Sequence, residues 1–206
     1  MNHRTDASLM DTCLSIVIPA YNEALRIGST LDRICDYMKE YGSSHEIIVV
    51  DDGSTDATDE VVRKAMELHP TILFLRNDGN RGKGYSVRRG VLGSKGAFVL
   101  LSDADLSTPI EEVEKLDQAL EEGCDIAIGS RAVSGSMILK KQPWYRQLMG
   151  MTFNVFVRAL AVKGIHDTQC GFKLFTGDAA RRCSHSKESS GLPLMWRPCI
   201  WQEKWV

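Results

Sequence analysis

Two aspartate-bearing segments, Val50-Asp51-Asp52-Gly53-Ser54 and Ser102-Asp103-Ala104-Asp105-Leu106, each follow a short apolar run that reads as a buried strand. Carboxylates gathered at strand ends suit a cation or sugar hydroxyls. Residues two apart on an extended chain point to the same side, so Asp103 and Asp105 are expected to reach one ion, or one ribose and diphosphate, together. Alone in water such a pair repels itself. A divalent cation such as Mg2+, which prefers carboxylate oxygens together with the oxygens of a diphosphate, turns that repulsion into a binding site.

The elements that must present these turns can be read from hydrophobic periodicity. Leu14-Ser15-Ile16-Val17-Ile18 is a β-branched run stopped by Pro19, and the chain then turns through Ala20-Tyr21-Asn22. Between Glu23 and Tyr41, the residues Ile27, Leu31, Ile34, Met38 and Tyr41 recur every three or four positions, which predicts an amphipathic helix closed by Gly42. Glu46 to Val50 is a second strand. Ser54 or Thr55 is placed to cap a helix carrying Val61, Val62, Ala65 and Met66 inward, with Asp56 near its positive end. Ile72 to Leu75 forms a third strand. The loop from Asn77 to Gly84 leads into a short helix through Val87 and Val91, and Ala97 to Leu101 is a fourth strand. Pro109 suits the first turn of the next helix, with Val113, Leu116 and Leu120 on its inner face, before a fifth strand at Ile126-Ala127-Ile128. Strands alternating with amphipathic helices imply an α/β fold with a mostly parallel sheet covered on both faces. Ligands of such sheets sit at the carboxyl ends of the strands, where both aspartate turns fall.

At 206 residues the chain has room for one ordinary domain, and its 43% apolar and 25% charged residues are globular values. A net charge of -2 lacks the basic surplus that a grip on nucleic-acid phosphates requires, so no nucleic-acid partner is expected. The six cysteines show no Cys-x-x-Cys or Cys/His cluster, which suggests neither a zinc site nor a dense disulfide framework, and reduced thiols are expected. The polar lead of residues 1–13 carries Asp6 and Asp11, unlike a cleaved signal peptide. No window reaches the roughly 18 apolar residues of a membrane span. An oxidoreductase with a Rossmann core is disfavoured, because no Gly-x-Gly-x-x-Gly follows the first strand.

The ordered set Ile18 to Glu23, Val50 to Asp56, Asn80-Arg81-Gly82-Lys83-Gly84, Asp103-Ala104-Asp105, Gly129-Ser130-Arg131 and Asp167 to Phe175 resembles the family 2 glycosyltransferases of the GT-A (Rossmann-like) fold. The likeness runs from about Leu14 to Arg182. Within that family, Asp105-Leu106-Ser107-Thr108-Pro109 and Asp167 to Phe175 look most like dolichyl-phosphate β-glucosyltransferases. The resemblance implies that Pro19, Tyr21, Glu23, Val50, Asp51 and Asp52 line a nucleotide pocket, although Pro19 and Tyr21 also read as a strand-ending turn and Asp51 as a cap for the loop after it. It also implies that Asp103 and Asp105, around Ala104, hold Mg2+ or Mn2+ against the diphosphate and act in catalysis; the alternative is that Asp105 caps the loop before Pro109. Ser107 stands where mannose-transferring relatives tend to carry Gln, which tilts the implied donor toward UDP-glucose.

Lys83, between Gly82 and Gly84, is a candidate phosphate contact or a plain surface turn. Arg131 and Arg146 are candidates for an acceptor phosphate, since guanidinium suits bidentate phosphate contact. A phosphate monoester is already anionic near neutral pH, so no general base is expected and His166 reads as structural. The implied reaction is inverting transfer of glucose to dolichyl or polyprenyl phosphate. The alternatives are a polyprenyl-phosphate mannosyltransferase using GDP-mannose or another family 2 glycosyltransferase, and a truncated, inactive nucleotide-sugar-binding protein.

Between Met137 and Gly164, Lys140, Lys141, Arg146, Arg158 and Lys163 interleave with Trp144, Tyr145, Phe153 and Phe156, a pattern that suits either a bilayer headgroup layer or a core-packing helix. Peripheral contact with the cytosolic face of a membrane, the endoplasmic reticulum in a eukaryote, is the expectation. After Arg182 the sequence loses periodicity and departs from the resemblance, as in a truncated or frame-altered product. The expected layout is a catalytic domain over 14–182 and a disordered tail over 183–206.

Overall fold

The computed structural model describes residues 14–129, 171–185 and 198–200. Strand β1 (Leu14–Ala20) lies inside a sheet with β2 (His45–Asp51) and then β3 (Ile72–Arg76) on one side and β4 (Phe98–Leu101) on the other, these four all parallel. Helices α1 (Ile27–Tyr41), α2 (Thr58–Leu68) and α3 (Lys83–Gly93) make the crossovers between them. A 3-10 turn (Ile110–Glu112) runs into α4 (Val113–Glu121), which leads to β5 (Ile126–Ile128). Strand β6 (Lys173–Thr176) and helix α5 (Gly177–His185) follow, and β7 (Pro198–Ile200) is an edge strand. The sheet order is β3-β2-β1-β4-β6-β5-β7.

Alternation along the strands divides the apolar residues between two cores. Leu14, Ile16 and Ile18 of β1, Ile47 and Val49 of β2 and Leu100 of β4 face α1, α2 and α4. Val17, Ile48, Val50 and Val99 face the other way, under Val91 of α3 and Ala180 of α5. The expected stripe of α1 is buried at Ile27, Leu31, Ile34 and Met38, and Gly42 ends the helix in the left-handed region at φ 75°. Each of these side chains contributes about 1.5–3 kcal/mol on burial. They pack in one core with Ile16 and Ile18 of β1 and Ile47 and Val49 of β2.

Several expectations are corrected. Pro19 does not stop β1; it pairs with Val50, and the strand continues to Ala20. The Val17 carbonyl accepts from Ser102 on the β4 side, so by two-residue alternation the nitrogen of Pro19 also faces β4, which has left the sheet by then. No ladder bond is lost. Neither Ser54 nor Thr55 caps α2: Asp56 accepts the Thr58 N–H at 3.0 Å, and Ser54 serves the loop before it. The sheet contains an antiparallel strand that periodicity misses, since β6 runs between β4 and β5 and separates them. Helix α5 crosses the expected boundary at residue 182, and β7 pairs with β5 within the segment expected to be disordered. Cys35 and Cys183 are free thiols, whereas Cys124 is disulfide-bonded, against the expectation of reduced cysteines. No helix among the described residues is long and apolar enough to cross a membrane.

Candidate active site

Because β1, β2 and β4 are parallel, the segments after Ala20, Asp51 and Leu101 emerge on the same edge of the sheet. The first two are tied together. The Asn22 N–H donates to Ser54 Oγ at 2.9 Å, the Thr55 N–H donates to Asn22 Oδ1 at 2.9 Å, and the Ala24 N–H reaches Asp56 at 3.1 Å. Asn22 adopts φ 55°, which Asn tolerates better than most residues. Tyr21 is left 44% exposed at the rim, and Glu23 is turned onto Arg26 at 2.7 Å.

The paired aspartates of the β2 turn do different work from each other. Asp51 is fully buried, its Oδ1 accepts both the N–H and hydroxyl of Ser54, and its Oδ2 lies 3.5 Å from Arg76 Nε. This is the loop-capping role. Asp52 reaches across to the segment after β3: its Oδ1 accepts from Asn77 Nδ2 at 2.7 Å and the Arg81 N–H at 2.9 Å, and its Oδ2 accepts the Gly82 N–H at 2.7 Å. Burial pushes the Asp52 carboxyl up, but the bonds from Arg81, Asn77, Gly82 and Ser86 outweigh it and hold the group below the usual carboxylate range. The two loops also touch at Gly53, where φ is 73° and an added Cβ would stand 2.6 Å from the Gly79 backbone.

Asp52 thereby fixes the start of α3. Gly82 precedes the helix at φ 88°, a conformation open to glycine, and Lys83 is its first residue. The Lys83 Nζ donates to Asp103 Oδ1 at 2.5 Å. A chain of contacts therefore runs from Asp52 through Gly82 and Lys83 to Asp103, with the positive end of α3 between the two carboxylates. The structure thus places Lys83 against the acidic turn, as the first residue of α3.

The acidic turn after β4 is not extended, so the same-side argument for Asp103 and Asp105 does not hold. The Leu106 N–H donates to the Asp103 carbonyl at 3.1 Å, closing a β-turn whose two middle residues are Ala104 and Asp105. Asp105 Oδ1 accepts the Ser107 N–H at 3.0 Å, its Oδ2 lies 4.0 Å from Arg26, and its side chain is 41% exposed. It shapes the loop and stays open to a ligand at once. Among the described residues no three His, Cys, Asp or Glu side chains gather to hold a metal. Two carboxylates are nonetheless what Mg2+ takes from a protein when substrate phosphates and water complete its shell. Hard oxygen donors and the cations already drawn to them, Lys83 and Arg26, fit a divalent ion at this turn.

Two proposed pocket residues serve the interior through their side chains. Val50 is fully buried beneath α3, where Gly90 lies against it, and Ala104 is 5% exposed in the main core. Any ligand contact they make falls to their backbone. Arg131, Arg146 and His166 lie outside the described residues, as does the basic and aromatic stretch 137–164. Sequence reasoning missed Asn77, which is 3% exposed and bonds both Asp52 and Ser86. It also missed Thr30, a polar residue on the apolar stripe of α1 one turn from Ile27, which was the available signal.

The dolichyl-phosphate beta-glucosyltransferase of Dictyostelium discoideum is 40% identical over 181 residues, covering 82% of this chain and 55% of that protein. The Homo sapiens protein of the same description is 38% identical over 182 residues, covering 82% and 56%, and the Saccharomyces cerevisiae one is 36% identical over 192, covering 84% and 56%. The chain spans about half the length of these curated relatives. Among solved structures, glucosyl-3-phosphoglycerate synthase from Mycobacterium tuberculosis with Mn2+, UDP and phosphoglyceric acid aligns at a TM-score of 0.61 and 20% identity, over 82% of this chain and 57% of that one. Mannosyltransferase PcManGT from Pyrobaculum calidifontis with GDP-Man and Mn2+ aligns at 0.54 and 24%, over 84% and 46%. These structures share the fold. Since the description Glycosyl transferase family 2 matches residues 15–182, the stretch that contains both aspartate turns and the Lys83 loop, the chain belongs to that family.

Proposed function

We propose that this chain forms the donor-binding core of an inverting glycosyltransferase that moves glucose from UDP-glucose to dolichyl or polyprenyl phosphate. The observation that carries the reading is the line of contacts from Asp52 through the Gly82 N–H and Lys83 to Asp103, on the strand edge that ends in Asp105. Support for the sugar and the acceptor comes from the relatives described as dolichyl-phosphate beta-glucosyltransferases. Tyr21, at the rim, and the backbone around Pro19 and Val50 border the space for the nucleoside. Lys83 and the amino end of α3 face its diphosphate.

Asp103 and Asp105 would hold Mg2+ or Mn2+, which when bound offsets the charge that builds on the departing diphosphate. Lys83 adds a second positive charge on that side. In the transfer, an oxygen of the acceptor phosphate forms a bond to the anomeric carbon as the bond to the diphosphate breaks, and UDP leaves with the electron pair. The attacking oxygen is already anionic, so no residue is needed to remove its proton. Arg131 and Arg146 are proposed to grip that phosphate, at the cytosolic face of a membrane contacted peripherally.

The test is incubation with labelled UDP-glucose and a short polyprenyl phosphate, with and without chelator. Label entering the organic phase only when metal is present is expected. Label that stays in the aqueous phase under both conditions, while UDP still binds, rejects transfer by this chain. A product with a retained anomer by proton NMR rejects inversion.

A further inference from the structure

The turn that carries Asp103 and Asp105 is gripped by two groups remote from it in sequence. Thr30 lies on the buried face of α1, 4% exposed, and its hydroxyl donates to the Ala104 carbonyl at 2.8 Å across 74 residues of chain. Ala104 stands between the two carboxylates, so this bond fixes the peptide that links them. On another side, Gly171 abuts the Asp103 carboxylate. A Cβ at 171 would stand 2.1 Å from Oδ2, 2.4 Å from Cγ and 2.5 Å from Oδ1 of Asp103. The backbone leading into β6 can approach that carboxylate only because residue 171 has no side chain. Leu106 ends the turn at φ 45°, a conformation unusual for a branched residue that its surroundings must hold in place.

We propose that Thr30 and Gly171 are positioning residues that set the separation of the Asp103 and Asp105 carboxylates for one shared divalent cation. This rests on the donor-site reading given above. Mg2+ tolerates little error in ligand placement, demanding near-octahedral oxygens at about 2.0–2.1 Å, and Mn2+ takes the same carboxylate donors. Rotation of the Ala104 peptide, or a sideways shift of Asp103, would separate the two carboxylates by more than that tolerance. Thr30→Val keeps the shape of the side chain and removes the hydroxyl, Thr30→Ser keeps the hydroxyl, and Gly171→Ala adds the one methyl group that Asp103 excludes.

The experiment is titration of Mn2+ into the chain with saturating UDP, with free Mn2+ read by electron paramagnetic resonance and melting temperature recorded for each variant. T30V and G171A are each expected to weaken Mn2+ binding by about tenfold, the low end of the effect for groups that orient metal ligands. T30S is expected to retain wild-type binding. Ile34→Val, a core change on the same helix, should lower the melting temperature and leave Mn2+ affinity unaltered. Wild-type affinity in both T30V and G171A overturns the proposal, as does weakening of I34V in step with its stability. Should T30V not fold, G171A alone decides. A wild-type chain that takes up no Mn2+ with UDP overturns the donor-site reading itself, an outcome distinct from equal binding by wild type and variants.

Discussion

The single side chain with the most to do is Lys83, because its ammonium meets Asp103 at the point where a diphosphate is proposed to lie. The side chain is 60% exposed, and an exposed ion pair contributes at most about 1 kcal/mol to stability. A charge-assisted contact to phosphate is worth about 1.5–3 kcal/mol, or about tenfold or more in affinity. Lys83→Met is therefore expected to leave the urea midpoint nearly unchanged while weakening UDP by about tenfold in isothermal titration; equal loss in both would assign Lys83 to folding. Asp52 shows the opposite balance. Its bonds to Asn77, Arg81 and Gly82 hold its acidity above that of a free carboxyl, so the stability it contributes is present above the unfolded pKa of about 4 and is lost as pH falls through the lower folded value. Asp52→Asn should flatten the decline in stability below about pH 4, measured by urea unfolding across a pH series.

At the scale of elements, what the sequence revealed follows from periodicity. Strands β1 to β5 and the buried stripe of α1 were legible because Ile16, Ile18, Ile47, Val49 and Ile34 occur at the period of the element they build. Strand β6 was not, because its four residues are too short for a pattern and its antiparallel place between β4 and β5 depends on pairing alone. The loop-capping alternative for Asp51 was legible, but the reach of Asp52 to Asn77 and the Gly82 N–H was not, since only the folded loop brings those residues near. The junction of those loops is Gly53. Gly53→Ala would place a Cβ 2.6 Å from the Gly79 backbone at a φ of 73°, where the left-handed conformation alone costs about 1–2 kcal/mol. The clash adds to that, so a loss of more than about 2 kcal/mol is expected in chemical denaturation, with UDP affinity falling as the Lys83 loop moves. An alanine variant of wild-type stability would mean that the loops are not locked together there.

At the scale of the whole molecule, the described residues gather Asp52, Asp103 and Asp105 at one edge of the sheet, with Lys83 and Arg26 beside the last two. Lys83 meets Asp103 and Arg26 lies 4.0 Å from Asp105, and under the proposed function this turn takes a cation and a nucleotide diphosphate as a unit. Each should bind poorly without the other: the diphosphate would meet two carboxylates without the metal, and the metal would lack most of its oxygen shell without the diphosphate. A ligand that binds only the folded chain raises its stability by about 2.7 kcal/mol at one hundred times its Kd. For a domain of this size about 2–4 °C of melting temperature accompanies each kcal/mol. UDP with Mn2+ is thus expected to raise the melting temperature by about 5–10 °C. UDP with EDTA, or Mn2+ alone, should raise it by a small fraction of that. The Asp105→Ala variant should lose most of the rise with UDP and Mn2+, since it lacks one of the two carboxylates proposed to hold the metal, while its unliganded stability stays near wild type because its bond to the Ser107 N–H is exposed. A rise with UDP that is the same in Mn2+ and in EDTA would show that the diphosphate is held by Lys83 and α3 without a metal at the acidic turn.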